Sequence, residues 1–133
     1  MQTGPENLTG VWQGLYTYPA GGASVSFVAT LIESGHTLSG AIHEPRTHGA
    51  GLGETIYAAL LGTRSGSAVS FVKRYERSAG SGYGHVDYEG TLNRDRTEIE
   101  GRWNIPGAGS GKFLMIRSAG KAATTKQKKS VRV

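Results

Sequence analysis

The stretch from His85 to Ile105, HVDYEGTLNRDRTEIEGRWNI, decides the fold because it holds two alternating segments joined by a short polar turn. In residues 85–92 every second position is apolar or glycine, and residues 98–105 have the same period. Each segment therefore predicts a half-buried β-strand. The intervening Asn93-Arg-Asp-Arg96 is typical of a hairpin turn. The two segments are predicted to pair as antiparallel neighbours, with Asp87 and Glu89 on the solvated face.

Runs of the same kind, rich in Val, Ile, Phe, Tyr and Thr, recur along the rest of the chain. Connectors such as Glu33-Ser-Gly-His36 and Thr63-Arg-Ser-Gly66 separate them and predict further antiparallel hairpins. No window of helical period with caps interrupts the series. The eight predicted strands are 9–18, 25–33, 37–45, 54–62, 67–76, 84–92, 97–105 and 111–118.

An open sheet of eight strands with short loops would expose two unpaired edges, and closure of the sheet removes both. We therefore predict an all-β fold, an eight-stranded antiparallel up-and-down barrel, in a domain spanning residues 1–118. The longer connectors 45–53 and 77–83 are predicted to be loops at the barrel mouth. Residues 119–133 are small, polar and basic without periodicity, and predict a disordered tail.

The formal charge of +5 originates in that tail. Five of the 15 Lys and Arg residues lie in the last 13 positions, which leaves residues 1–120 formally neutral. A folded surface that reads nucleic acid needs clustered basic residues, so nucleic-acid binding is not expected beyond weak contacts through the tail. The chain has no cysteine, which excludes disulfides, thiol catalysis and Cys-ligated metals.

The sequence also lacks membrane and export signals. No apolar run approaches the ~18 residues of a membrane-spanning helix. Residues 1–6 have neither a basic start nor an apolar segment, so no signal peptide is predicted. We expect a cytoplasmic protein without membrane contact.

The segments that resemble catalytic or ligand-binding motifs lack the residues or the spacing that those motifs require. Gly109-Ser-Gly-Lys112 lacks both the upstream glycine and the following Ser or Thr of a phosphate loop. His43 and His48 are five residues apart with Pro45 between them, whereas a helical zinc motif needs a spacing of four. There is no Gly-x-Ser-x-Gly elbow for a nucleophilic serine. We expect no catalytic residue, no metal, no cofactor and no enzymatic activity.

Both ends of the barrel domain carry a family signature. Leu8-Thr-Gly-Val-Trp12 opens the first strand, and Phe113-Leu-Met-Ile-Arg117 closes the last one. Together they resemble the signature of the calycin superfamily, in which a first-strand Trp closes one barrel end and a late basic residue packs on it. The resemblance implies that Trp12 and Arg117 are barrel-closing structural residues, with the cation over the indole face contributing ~0.5–2 kcal/mol.

Within the calycins, residues 8–118 resemble avidin and streptavidin most closely, because four further motifs occur in the family's order. These are Leu38-Ser-Gly40, Ser70-Phe-Val-Lys-Arg-Tyr75, Tyr88-Glu-Gly90 and Glu100-Gly-Arg-Trp103. The resemblance implies that Phe71, Tyr88 and Trp103 occupy aromatic positions of the family's pocket.

The hydrogen-bonding residues of that family pocket are not matched. Gly14, Tyr18, Ile42 and Glu44 stand where the family carries Asn, Ser, Tyr and Ser, and no equivalent of the last-strand Asp is found. Each ligand polar group left unpaired in a dry pocket costs about 1–3 kcal/mol. The resemblance therefore implies a relative of the avidins that does not bind biotin.

Three functional hypotheses follow. The first is a non-catalytic barrel that binds an unknown small molecule, because eight strands leave room for one ligand. Its predicted contacts are Tyr16, Tyr18, Glu44, Phe71, Tyr75, Tyr88 and Trp103. Two alternatives stay open at these positions, since Glu44 beside Pro45 would also suit a solvent-facing strand end, and side chains can fill a small barrel completely.

The second hypothesis is a protein-interaction or homo-oligomerisation module with a filled barrel. It depends on apolar residues at outward positions, namely Val28, Ile32, Leu114 and Ile116. The third is a barrel enzyme using Glu44, His43 and Arg74, which requires these side chains to converge. Lys73 shares the face of Phe71, an unfavourable place for a charge, so a β-bulge is predicted near residues 71–76.

Overall fold

The computed structural model describes residues 7–47, 50–80 and 84–118 and contains one closed β-barrel. Its strands are β1 (Gly10–Thr17), β2 (Val25–Ser34), β3 (Thr37–Pro45), β4 (Thr55–Ser65), β5 (Ala68–Tyr75), β6 (His85–Leu92), β7 (Glu98–Ile105) and β8 (Gly109–Arg117). A single 3₁₀ turn, Arg77–Ala79, is the only helical element within the described ranges. Among those residues, no helix has the length and apolar character needed to cross a membrane.

Every strand pairs antiparallel with its neighbours in sequence, and β1 pairs with β8 to close the barrel. The closing register runs from Trp12 opposite Arg117 to Thr17 opposite Lys112. The predicted all-β, eight-stranded, up-and-down architecture is confirmed. Short turns join β2 to β3, β4 to β5 and β6 to β7 at one end. The other end carries the longer connectors together with the short turn between β7 and β8.

Two strand boundaries differ by more than one residue from those predicted. β4 continues to Ser65, three residues beyond its predicted end, and the turn into β5 falls at Gly66. Gly66 has φ of 60°, a left-handed conformation that suits glycine and places the turn there. β8 starts at Gly109, two residues earlier than predicted, because residues 109–110 already pair with the end of β7.

The predicted bulge near residues 71–76 is wrong. The pairing of β4 with β5 is continuous from Ser65 opposite Ala68 to Ala58 opposite Tyr75. Lys73 keeps regular alternation and points into the barrel, where it is 1% exposed. A bulge is unnecessary because the ammonium group meets a carboxylate on another strand inside the barrel.

The half of the barrel near the short turns is filled by apolar side chains. Its buried core includes Trp12, Phe27, Leu31, Leu38, Leu60, Phe71, Ile99, Phe113 and Met115. Arg117 places its guanidinium carbon 4.9 Å from the centre of the Trp12 ring and donates to the Asn7 carbonyl. The Trp12 indole donates to the Leu8 carbonyl at 2.9 Å. Residues 7–8 are thus held across this end, which we call the closed end.

Gly14 in β1 makes room for the Phe27 ring of the neighbouring strand. A Cβ atom at position 14 would lie 2.3 Å from Phe27 Cζ, far inside van der Waals contact. The position where the avidin resemblance expects a polar side chain is therefore covered by an aromatic ring.

The opposite end, which we call the open end, carries the two long connectors. Arg46 links them, since its backbone pairs with Gly53 and Glu54 and its guanidinium donates to the Ala79 carbonyl. This agrees with the predicted position of loops 45–53 and 77–83, of which residues 48–49 and 81–83 lie outside the described residues. The predicted tail 119–133 and the domain boundary after residue 118 also lie outside the described ranges.

Candidate functional site

A cavity of about 350 Å³ opens at the open end of the barrel. Lys73 marks its base, since this side chain is 1% exposed and is surrounded by the rings of Tyr16, Tyr75 and Tyr88. Trp103, Val86 and Ile105 also line the cavity, and the exposed Tyr18 stands at its opening. The barrel is therefore filled at one end and hollow at the other, because Phe71 and Phe113 stop the core just below this cavity.

Glu44 in β3 organises the base of the cavity. It is only 3% exposed, and its carboxylate accepts three hydrogen bonds. Oε1 accepts from Lys73 Nζ at 2.9 Å. Oε2 accepts from the Tyr16 hydroxyl at 2.9 Å and from the Tyr75 hydroxyl at 2.7 Å. A buried carboxylate with this many donors avoids the large cost of an unpaired buried charge.

Strand alternation and closure together assemble this group from three strands. Tyr16, Glu44, Lys73 and Tyr75 each occupy inward positions of β1, β3 or β5. β3 and β5 are separated only by β4, so long side chains from both can meet in the barrel interior. The assembly is a property of the closed barrel, since Glu44 and Lys73 are 29 residues apart in sequence.

Aromatic rings surround the Lys73 ammonium group. Nζ lies 4.8 Å from the ring centres of Tyr16 and Tyr75, 5.3 Å from Tyr88 and 5.8 Å from Phe27. Rings at these distances attract a cation through their negative faces. The ammonium is thereby held by one carboxylate oxygen and an aromatic cage.

Burial changes the proton affinities of these groups. It lowers the pKa of Lys73, and the opposing attraction of Glu44 offsets only part of that effect. Burial and the nearby Glu44 charge raise the pKa of Tyr16 and of Tyr75 far above the usual value. The pKa of Tyr88 is raised for the same two reasons. All three phenols are neutral throughout the physiological range, and those of Tyr16 and Tyr75 donate to Glu44.

The position of Trp103 in the cavity wall depends on Gly111 in β8. Trp103 Nε1 donates to the Thr17 carbonyl at 2.9 Å, with its indole passing over Gly111. A Cβ atom at Gly111 would lie 2.6 Å from that nitrogen. Tyr18 then packs edge-on against Trp103, with ring centres 5.4 Å apart, and is 42% exposed at the opening.

The structure places the seven predicted contact residues in two sets. The cavity is lined by Tyr16, Tyr18, Tyr75, Tyr88 and Trp103. The described lining residues do not include Glu44, which lies behind Lys73 and the tyrosines, or Phe71, which stacks on Tyr88 at 4.8 Å within the core. Glu44 does not face solvent, so that alternative is wrong.

The residues considered for an enzyme do not converge. His43 is exposed on the outer wall, where it stacks on Tyr57, and Arg74 is also exposed there. Only Glu44 of the three points inward. Lys73, by contrast, was not predicted as a contact residue. The available signal was its shared face with Phe71, an inward lysine in an otherwise apolar alternation.

Comparison with known proteins identifies the fold alone. No family model matches the chain, and no curated protein matches it. Among solved structures, a de novo designed fluorescence-activating β-barrel is 14% identical and aligns with a TM-score of 0.62, covering 89% of this chain and 100% of that one. The redesigned β-barrel mFAP1 bound to DFHBI is also 14% identical, with a TM-score of 0.65 over 88% of this chain and 100% of that one. The likeness to avidins stays a prediction.

Proposed function

We propose that this protein is a non-catalytic barrel that binds a small, flat, apolar molecule carrying a hydrogen-bond acceptor such as a carboxylate. The observation that carries the proposal is a hollow end of about 350 Å³ with aromatic walls and an ammonium group at its base. Ligand pockets of this size are typically apolar with a few placed polar groups.

The preference for an acceptor follows from the hydrogen bonds already made at the base. Both Glu44 oxygens are used by Lys73, Tyr16 and Tyr75, so the carboxylate has little capacity for a ligand donor. Lys73 Nζ carries three N–H donors, and one of them is used by Glu44. The ligand acceptor would meet one of the remaining donors, while its flat body would pack against the rings of Trp103 and Tyr18.

The proposal includes an avidin-like relationship without biotin binding. In support, Gly14 is covered by the Phe27 ring and Ile42 is part of the buried core, so neither offers a polar contact. The structure of mFAP1 bound to DFHBI supports the general point that a barrel of this architecture holds a small molecule.

The test compares two probes of one shape and opposite charge, 2-naphthoate and 2-naphthylmethylammonium. We expect the anion to bind at one site per chain in a calorimetric or fluorescence titration, and the cation to bind at least about tenfold more weakly, a difference of about 1.4 kcal/mol. Equal binding of both probes would contradict the predicted role of Lys73 as the donor.

Two matched variants locate the site. Ile105→Trp adds bulk to the cavity wall, whereas Ile32→Trp makes the same change on the exposed outer wall. We expect 2-naphthoate binding to be lost in the first variant and retained in the second. Equal affinity in both variants would place the ligand elsewhere and overturn the proposal.

As a second candidate, we propose self-association through the outer wall of β2, β3 and β4. Small residues Ala41 and Ala59 face each other there, flanked by the exposed apolar side chains of Ile32, Tyr57 and Leu61. Leu61 is 63% exposed, and its strand pairing places it beside Ser39, which is opposite Ile32. A flat apolar patch of this kind suits a second copy of the same surface.

Sedimentation velocity tests this candidate. Wild-type protein is expected to sediment as a dimer or larger oligomer, and Leu61→Glu is expected to shift it to monomer. Thr91→Glu, on the exposed outer wall of β6, serves as the control and should leave the oligomer intact. A monomeric wild type would dismiss self-association without affecting the proposed ligand site.

A further inference from the structure

We propose that Lys73 captures the carbonyl group of a planar, apolar aldehyde inside the cavity as a covalent imine. The inference rests on the proposed function, because the aldehyde enters the same cavity as the non-covalent ligand. It adds a bond between ligand and protein and names a chemical class of ligand that the binding proposal alone does not.

The geometry provides the amine with access on one side and protection on the other. Lys73 lines the cavity, so a bound molecule can approach Nζ from the open end. The side chain is only 1% exposed and is enclosed by the rings of Tyr16, Tyr75 and Tyr88. An enclosed, apolar surrounding limits the access of water that would hydrolyse an imine, and it favours the uncharged form of the amine.

A proton acceptor lies within direct reach of the amine. Glu44 Oε1 is 2.9 Å from Nζ, a distance suited to proton transfer in either direction. The titratable groups that face Nζ are Glu44 from β3, Tyr16 from β1, Tyr75 from β5 and Tyr88 from β6. The three phenols are neutral, and burial lowers the pKa of Lys73, so the neutral amine is more populated here than on a surface lysine.

The reaction is a condensation without a redox step. Glu44 accepts a proton from the Lys73 ammonium group, and the nitrogen lone pair then forms a bond to the aldehyde carbon. The carbonyl π electrons move to oxygen, which takes up a proton released by the newly bonded nitrogen to give a neutral carbinolamine. Glu44 returns its proton to the hydroxyl group, the C–O bond breaks, and water leaves. The product is a protonated imine whose positive charge faces the Glu44 carboxylate as the ammonium did.

The two described lysines provide an internal comparison. Lys73 is enclosed in the barrel, whereas Lys112 is exposed on the outer wall of β8. The other four lysines of the chain lie in residues 121–129, outside the described ranges. Lys112 therefore serves as the exposed reference amine for the enclosed Lys73.

The experiment treats the full chain at about pH 7 with 2-naphthaldehyde and cyanoborohydride, which reduces an imine to a stable secondary amine. Peptide mapping by mass spectrometry then measures the adduct at each lysine. We expect Lys73 to be labelled at least about tenfold more than Lys112 or the tail lysines, because binding in the cavity holds the aldehyde beside Nζ. Excess 2-naphthoate is expected to block this labelling.

Variants provide a second measurement. Lys73→Arg keeps the charge but forms no imine, and its adduct is expected to disappear, while the matched Lys112→Arg variant keeps the Lys73 adduct. Should Lys73→Arg fail to fold, the wild-type map decides by itself. Labelling spread evenly over the lysines overturns the inference.

The two proposals fail in different ways. Binding of 2-naphthoate without a Lys73 adduct overturns the imine and leaves the binding function in place. Absence of both binding and adduct overturns both. A Lys73 adduct that 2-naphthoate blocks supports both.

Discussion

The most consequential side chains of this protein are a buried carboxylate and a buried amine that neutralise each other. Glu44 and Lys73 form an ion pair at 2.9 Å with each side chain about 1% exposed. Replacing such a pair with apolar residues is often neutral or stabilising, whereas removing one partner costs about 3–5 kcal/mol. The pair therefore adds little net stability to the barrel. Its consequence is chemical, because it places one ammonium at the base of an aromatic cavity.

A first prediction concerns the orientation of Glu44. Tyr75→Phe removes the 2.7 Å hydrogen bond to Oε2 and is expected to lower the free energy of unfolding by about 1–2 kcal/mol, since hydrogen bonds to charged groups exceed neutral ones. Tyr57→Phe, on the exposed outer wall, is the matched control, with an expected change within about 0.5 kcal/mol. Urea unfolding measures both. Equal losses of unfolding free energy in the two variants would show that the hydrogen bond from the Tyr75 hydroxyl to Glu44 does not stabilise the barrel.

A second prediction separates the pair from its members. Glu44→Gln leaves the Lys73 charge without its counter-charge and is expected to cost about 3–5 kcal/mol. The double variant Glu44→Met with Lys73→Met is expected to recover at least half of that loss, because no unpaired buried charge is left. Denaturant unfolding of the single and double variants measures the recovery. Additive losses in the double variant would contradict the assigned coupling.

At the scale of elements, the pairing of β1 with β2 determines how full the barrel is. Gly14 lies opposite Phe27 in this pair, and the ring occupies the space that a side chain at position 14 would need. Below it, Phe71 of β5 and Phe113 of β8 pack with ring centres 6.1 Å apart. The hollow end begins above these rings. The inward side chains in the closed half of the barrel thus form a packed core. Those near the open end surround the cavity.

A third prediction tests this packing. Gly14→Ala puts a Cβ atom about where the Phe27 ring lies and is expected to destabilise the barrel by about 1–3 kcal/mol, the usual range for overpacking. Adding Phe27→Leu to that variant is expected to return part of the loss, since a smaller side chain leaves room for the new methyl. Thermal unfolding of the single and combined variants is the measurement. A full-sized loss in the combined variant would indicate backbone strain at Gly14 rather than a clash with the ring.

At the scale of the whole molecule, the buried titratable groups make stability depend on pH in two opposite directions. Folding lowers the pKa of Lys73 below its unfolded value of about 10.4, so the unfolded chain binds more protons in that interval and stability rises with pH. Folding raises the pKa of Tyr16, Tyr75 and Tyr88 above about 10. Above that pH the unfolded chain releases protons that the folded chain keeps, so stability falls.

A fourth prediction follows from these signs. The free energy of unfolding is expected to rise toward about pH 10 and to fall beyond it. Lys73→Met should abolish the rise, while Lys112→Met, which removes an exposed lysine, should keep it. Denaturant titrations at a series of pH values provide the data. A steady decline of wild-type stability below about pH 10 would contradict the burial assigned to Lys73.

The sequence by itself determined the eight strands, their antiparallel order and most inward faces, because alternation and turn residues are local properties that neighbouring positions express. Trp12 over Arg117 also followed from a motif at the two chain ends. Local patterns could not determine the partner of an inward charge. The alternation along β5 assigns Lys73 to the inward face, where the structure also has it. A buried lysine without a partner is so costly, however, that the sequence alone favours a bulge that would turn it outward.

Only the tertiary structure decided that Glu44 of β3 and Lys73 of β5 meet inside the barrel, since their meeting depends on closure and on the stagger of strands whose two residues are 29 positions apart. It also decided which half of the interior is hollow. The cavity volume is the volume enclosed by the barrel backbone minus the volume of the inward side chains from all eight strands. Phe71 is therefore enclosed by other core side chains, whereas Tyr16 also lines the cavity, although both are aromatic residues at inward positions of their strands.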